Sequence, residues 1–170
     1  ASLTNGYIIN THSTGNTITA PSNGYVGGII SGSCGKVLNS YTYDNTFIIE
    51  PEGHVGGIAG SVSNSYTLHI ANCYVKHLES FTNNWGAVIG TSQSKKYTFD
   101  NVFYNGGNII ANDKNLYSNV YRYSQFSAEV NGENKHIYKH LNKWIETADT
   151  TFTYNEWTKS DIAPYPAIFQ

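Results

Sequence analysis

Glu50 and Glu79 stand 29 residues apart and are the first residues here that could do chemistry. If the chain repeats on that interval, both fall on one corner, with Glu52 close by. Paired carboxylates on neighbouring turns serve β-helical glycosidases and lyases as general acid and base, and carboxylate oxygens also hold Ca²⁺. Against that, no Asp cluster accompanies them and Arg122 is the only arginine, which fits ordinary solvated corner carboxylates. Of the six histidines, only His136 and His140 have a metal-gripping i, i+4 spacing. Their stretch, His136-Ile137-Tyr138-Lys139-His140, lacks the glutamate of a His-Glu-x-x-His site and reads as surface helix. There is no Gly-x-Ser-x-Gly elbow and no phosphate-cradling glycine loop. No metal or cofactor is assigned.

Aromatic residues are the stronger lead. Tyr25, Tyr41, Tyr43, Tyr66, Tyr74, Tyr97 and Tyr104 recur along the chain. Exposed tyrosine rows stack on sugar rings and make adaptable protein interfaces, although packing beneath corner loops is the plainer role. Tyr66, Tyr97, Tyr41 and Tyr43 are the candidate ligand-binding residues. An ice-binding threonine array is weaker, because Thr17-x-Thr19 is not repeated at Thr46 and Ile48.

What must position these residues is a repeat of about 29 residues. A diglycine segment marks it at Val26–Ser31, Val55–Gly60 and, with Ala87 for the second glycine, Trp85–Gly90. Asparagines keep the same beat at Asn10, Asn39, Asn72 and Asn101. Stacked coils would place these asparagines in register as an amide ladder, each donating to the next. Each coil reads as three short strands with polar corners: the diglycine strand, the Asn-x-aromatic strand and an apolar strand at Thr17–Ala20, Thr46–Glu50, Val75–Phe81 and Asn108–Ala111. Insertions swell the corners Ser61–Leu68 and Ser92–Thr98, which makes those loops the expected binding face.

The register fails after Ala111, and Tyr117, Tyr121 and Tyr123 alternate like one more strand. Ile137, Leu141, Trp144 and Ile145 then take helical spacing, predicting an amphipathic helix over about 134–146, capped by Asn131 or Asn134. The division is repeats over 1–125 and a cap over 126–170, built as one unit. A cap is needed because a solenoid end exposes unpaired backbone and apolar core, so Leu141 and Trp144 are expected against Ile109 and Ile110. Cys34 and Cys73 sit at different phases of the repeat, which favours two buried thiols over a bridge.

Only 13% of residues are charged and the net charge is −2, which leaves no electrostatic case for nucleic acid. No apolar run is long enough to span a bilayer. The chain has no methionine, not even at its start, and is expected to be a mature or excised piece of a longer protein.

Val55-Gly56-Gly57-Ile58-Ala59-Gly60 followed by Ile70-Ala71-Asn72-Cys73-Tyr74 resembles the GLUG-motif repeat. The ending Leu141-Asn142-x-Trp144-Ile145, Tyr154-x-x-Trp157 and Tyr165-Pro166-Ala167-Ile168-Phe169 is similar to the one that often follows such repeats. The resemblance implies a right-handed parallel β-helix in a secreted or cell-surface, adhesin-like protein, and brings no catalytic residues with it. The fold expected is therefore all-β: a short parallel β-helix of about four turns with a helix-containing C-terminal cap. The function expected is a non-catalytic extracellular structural or adhesive module that binds glycan or protein through corner loops and Tyr/Asn faces. Self-association through the solenoid ends is a further expected contact. A carbohydrate-active enzyme using Glu50 and Glu79, or a spacer in a virion or surface filament, are the alternatives.

Overall fold

The computed structural model describes residues 6–32, 35–76, 84–93, 95–111, 113, 115–159 and 165–166. Cys34, His77 and Glu79 lie outside the described residues, as do the end of the Val75–Phe81 segment and the tail beyond 166.

Parallel pairing on the repeat interval builds the fold. Gly6–Ile9 pairs with Gly35–Leu38, which pairs with the first half of Leu68–Lys76, which in turn pairs with Tyr97–Tyr104. His12–Thr14 pairs with Tyr41–Tyr43, and that strand with the second half of Leu68–Lys76. Thr17–Ala20 pairs with Thr46–Ile49, and Tyr25–Gly27 with His54–Gly56 and then Trp85–Gly86. Ala59–Val62 pairs with Ile89–Ser92. The chain is a parallel β-solenoid of about three coils. A fourth coil is cut short after Ile110, which bridges to Ile89, and Val120–Arg122 adds a last parallel strand.

The second coil holds five short strands rather than the three expected per turn. The diglycine segment is not one strand, because the chain turns a corner between Gly56 and Ala59. Glycine is a steric requirement there. A methyl group on Gly56 would overlap Ala59 O and Gly90 N, and one on Gly86 would overlap Ile89 O. A second kind of corner uses asparagine in the left-handed region: φ is 53° at Asn10, 48° at Asn39, 51° at Asn72 and 53° at Asn101. Asparagine tolerates this conformation better than most side chains, so it can bend the strand without glycine's entropy cost.

Two apolar clusters result. Val37, Val55, Ile58, Ile70, Ile89 and Val102 fill the interior of the coils, each contributing about 1.5–3 kcal/mol by leaving water. Tyr41, Tyr74 and Phe103 project from the outer side of the asparagine corner, where Ile137, Leu141 and Trp157 cover them.

The C-terminal region departs from its expected form. The helix spans Ile137–Thr147, and His136 caps it. Glu133–His136 is a strand instead, antiparallel to Ser127–Val130. Asn131 and Gly132 both have positive φ, 51° and 81°, so Asn-Gly closes a two-residue hairpin and is not a helix cap. The helix also does not seal the interior column at Ile109 and Ile110. Leu141 is buried, but against the outer aromatic cluster. Tyr41, Tyr74 and Phe103 present an apolar face there, and Ile137 and Leu141 leave water by packing on it.

Candidate functional site

Side-chain amides link the four corners. Asn39 Nδ2 donates to Asn10 Oδ1 at 2.6 Å, Asn72 Nδ2 to Asn39 Oδ1 at 2.7 Å, and Asn101 Nδ2 to Asn72 Oδ1 at 2.7 Å. Parallel register forces this, because each asparagine meets its counterpart one strand away. The residue after each of the first three asparagines returns a side-chain hydrogen bond to the carbonyl two residues back. Thr11 Oγ1 donates to Ile9 O, Ser40 Oγ to Leu38 O and Cys73 Sγ to Ala71 O. Burial pushes the Cys73 thiol up to about 12, so it is an inert structural group.

The chain's end runs along this ladder as a strap. Asn10 Nδ2 donates to Thr153 O, Asn155 N donates to Asn10 Oδ1, and Asn39 Nδ2 donates to Asn155 O. Trp157 Nε1 donates to Asn39 Oδ1 at 2.5 Å, and Phe152 packs on Tyr7. Two residues after each ladder asparagine stands a ring. His12 stacks on Tyr41 at 5.2 Å and Tyr41 on Tyr74 at 5.0 Å.

This arrangement separates the four candidate tyrosines. Tyr41 is 6% exposed beneath Trp157, so its ring packs inside the protein and is not offered to a ligand. Tyr43 is half-buried, with Lys76 Nζ 4.3 Å from its ring centre. Tyr66 is exposed on the Ser61–Leu68 corner. Tyr97 is half-buried on the Ser92–Thr98 corner and lines a cleft of about 530 Å³. Thr91, Ser92, Gln93, Lys95, Asp113 and Asn115 give that cleft its polar lining, and Ile110 and Ala111 its apolar part.

Tyr97 is held by a relay that the sequence did not suggest. Tyr117 OH donates to Asp113 Oδ2 at 2.5 Å, which leaves Tyr97 OH to donate to Tyr117 OH at 3.0 Å. The Tyr117 hydroxyl and the Asn115 N–H hold the Asp113 carboxyl below its usual range. Burial and that same bond push the Tyr117 hydroxyl up. The carboxylate therefore stays ionised and the phenol stays protonated near neutral pH, which suits fixed recognition and not proton transfer.

Of the two carboxylates of the enzyme alternative, Glu79 lies outside the described residues and Glu50 is described. Glu50 Oε2 accepts from Ser22 N at 3.1 Å and Ser22 Oγ at 3.3 Å, tying its corner to the coil before it. His136 caps the helix, and His140 Nε2 lies 3.1 Å from Ala128 O. No group of three potential metal ligands occurs among the described residues. A further left-handed asparagine, Asn119 at φ 60°, stands off the expected beat. Asn119-Val120-Tyr121 repeats the Asn-x-aromatic signature, and Tyr121 registers with Phe103; the signal is the tripeptide, not the period. In comparisons with protein-family models, curated proteins and solved structures, nothing matches the chain.

Proposed function

We propose that this chain is a non-catalytic structural and adhesive module that works outside the cell and binds glycan or protein at the Ser92–Thr98 corner. The observation that carries this is the cleft beside Tyr97, where hydroxyls, amides, one ammonium and one carboxylate line the wall beside one fixed ring. Tyr97 presents an aromatic edge already oriented by Tyr117, so little rotamer freedom is lost on binding. The resemblance of Val55–Gly60 and Ile70–Tyr74 to GLUG-motif repeats supports the extracellular, adhesin-like setting. Among the described residues no helix is long and apolar enough to cross a membrane.

The test is retention of the protein on immobilised glycans and extracellular proteins, with reducing-end detection run on the same glycans. Retention that falls at least about tenfold in Tyr97→Ala supports the proposal, since one stacked ring is worth about 1.4 kcal/mol. New reducing or unsaturated ends that vanish in Glu50→Gln would overturn it in favour of an enzyme.

A further inference from the structure

The ladder has a direction. Every amide donates toward Asn10, and at that end Asn10 Nδ2 is taken up by Thr153 O. At the other end Asn101 Nδ2 bonds Asn72 Oδ1 and His140 O, while Asn101 Oδ1 accepts no hydrogen bond among the described residues. Asn101 is only 9% exposed. The row therefore stops in an amide whose carbonyl oxygen is left to solvent at the edge of a cleft, where it is open to a ligand's donor.

That acceptor borders a cleft of about 350 Å³ between the helix and the final parallel strand, which shares no lining residue with the cleft beside Tyr97. Two more amides, Asn119 and Asn131, line it. Asp100 and Glu133 bring carboxylates, and Lys143 brings an ammonium. Tyr121 and Trp144 supply rings, and Trp144 Nε1 donates to Asp100 Oδ2 at 2.7 Å, which fixes the indole.

We infer that this cleft is a binding site for a small neutral polyhydroxylated molecule, a single saccharide unit. An anion would meet Asp100 and Glu133, and a simple cation would meet Lys143. Hydroxyl groups donate and accept in turn, so they satisfy amides, carboxylates and an ammonium together. The C–H face of a sugar ring packs on an indole or phenol. The cleft lies near the lower end of small-molecule pockets, about 300 Å³, which limits the ligand to about one ring. This inference does not rest on the Tyr97 site.

The experiment is titration with glucose, galactose, mannose and N-acetylglucosamine, read by amide and indole NMR shifts and by tryptophan fluorescence. Trp85 and Trp157 are buried, so Trp144 is the tryptophan positioned to report. At least one sugar should saturate with a Kd of about 1 mM or tighter. Its shifts should centre on Asn101, Asn119, Asn131 and the Trp144 indole. Asn119→Gly with Asn131→Gly keeps the left-handed backbone and should weaken binding at least about tenfold, whereas Tyr97→Ala should leave it unchanged. No saturation below about 100 mM, shifts centred elsewhere, or binding lost in Tyr97→Ala would overturn the inference. Shift mapping on the unaltered chain discriminates these outcomes even if the double variant misfolds.

Discussion

Replacing Asn72 separates the ladder's two contributions, the hydrogen bonds and the bent backbone. Asn72 is fully buried at φ 51°, donates to Asn39 Oδ1 and accepts from Asn101 Nδ2, both at 2.7 Å. Its partners are not wholly orphaned by its loss. Asn39 Oδ1 keeps Trp157 Nε1 and Asn101 Nδ2 keeps His140 O. The cost of Asn72→Gly is then two net hydrogen bonds, about 2 kcal/mol. Asn72→Ala adds the left-handed strain of a β-carbon, about 1–2 kcal/mol, and should lie about 3–4 kcal/mol below wild type. Asn72→Asp places an acceptor against Asn39 Oδ1 and buries a carboxyl, which raises its folded-state pKa above the unfolded value of about 3.9. Relative to wild type, that variant is least impaired at low pH and loses stability as pH rises through its folded-state pKa. Urea denaturation followed by circular dichroism at pH 4 and pH 7 measures all three. Gly and Ala variants within about 0.5 kcal/mol of wild type, or an Asp variant indifferent to pH, would refute the reasoning.

Cys73, with its thiol pushed up to about 12, should resist thiol reagents at pH 8 in a Cys34→Ser background until the protein unfolds; Cys73→Ser should cost no more than about 1 kcal/mol, since Ser40 already makes the same bond one coil away. Gly56→Ala, which collides with backbone on two sides, should destabilise by about 3 kcal/mol or abolish folding, whereas Gly132→Ala meets open space and should show only left-handed strain of about 1–2 kcal/mol in thermal melts. Trp157→Ala should cost about 3–5 kcal/mol and raise dye binding at the uncovered Tyr41 and Tyr74 rings. Burial lowers the pKa of His69, His136 and His140, so the unfolded chain binds the extra protons first. The melting temperature should therefore fall as pH drops below about 6.5, and a flat profile from pH 7 to pH 5 would contradict those placements.

The period is legible because stacking demands the same residue type at the same corner, and Asn10, Asn39, Asn72 and Asn101 show it directly. The number of strands per coil is not, since strands such as Tyr41–Tyr43 are too short to display alternation between their polar corners. Asn119 escapes the period because the last coil shortens its interval to 18 residues after Asn101, although its tripeptide keeps the pattern. The helix starts later than its spacing predicts because asparagine serves both as a helix cap and as a hairpin residue, and Asn131-Gly132 takes the second role. Tyr41 cannot be recognised as buried from its neighbours, because its cover, Trp157, lies 116 residues away in sequence. Asp113 and Tyr117, which hold Tyr97, likewise fall where the repeat has already ended, so no periodic signal marks them.

The strap changes how the protein should come apart. A linear stack of repeats behaves as a one-dimensional array, in which each coil touches only its neighbours and the end coils fray first. Here Asn10 bonds Thr153 and Asn155, contacts that span 143 and 145 residues, and Tyr7 meets Phe152. The outermost N-terminal coil is thereby tied to the C-terminal segment of the chain, and the array is closed into a ring of contacts. Peeling the first coil requires releasing the strap, and releasing the strap uncovers Asn39, Tyr41 and Tyr74 together. Amide protection in Gly6–Ile9 should consequently rise and fall with that of Tyr41–Tyr43 as one cooperative unit, and a steady pull on the two termini should meet its main resistance at the first event rather than coil by coil.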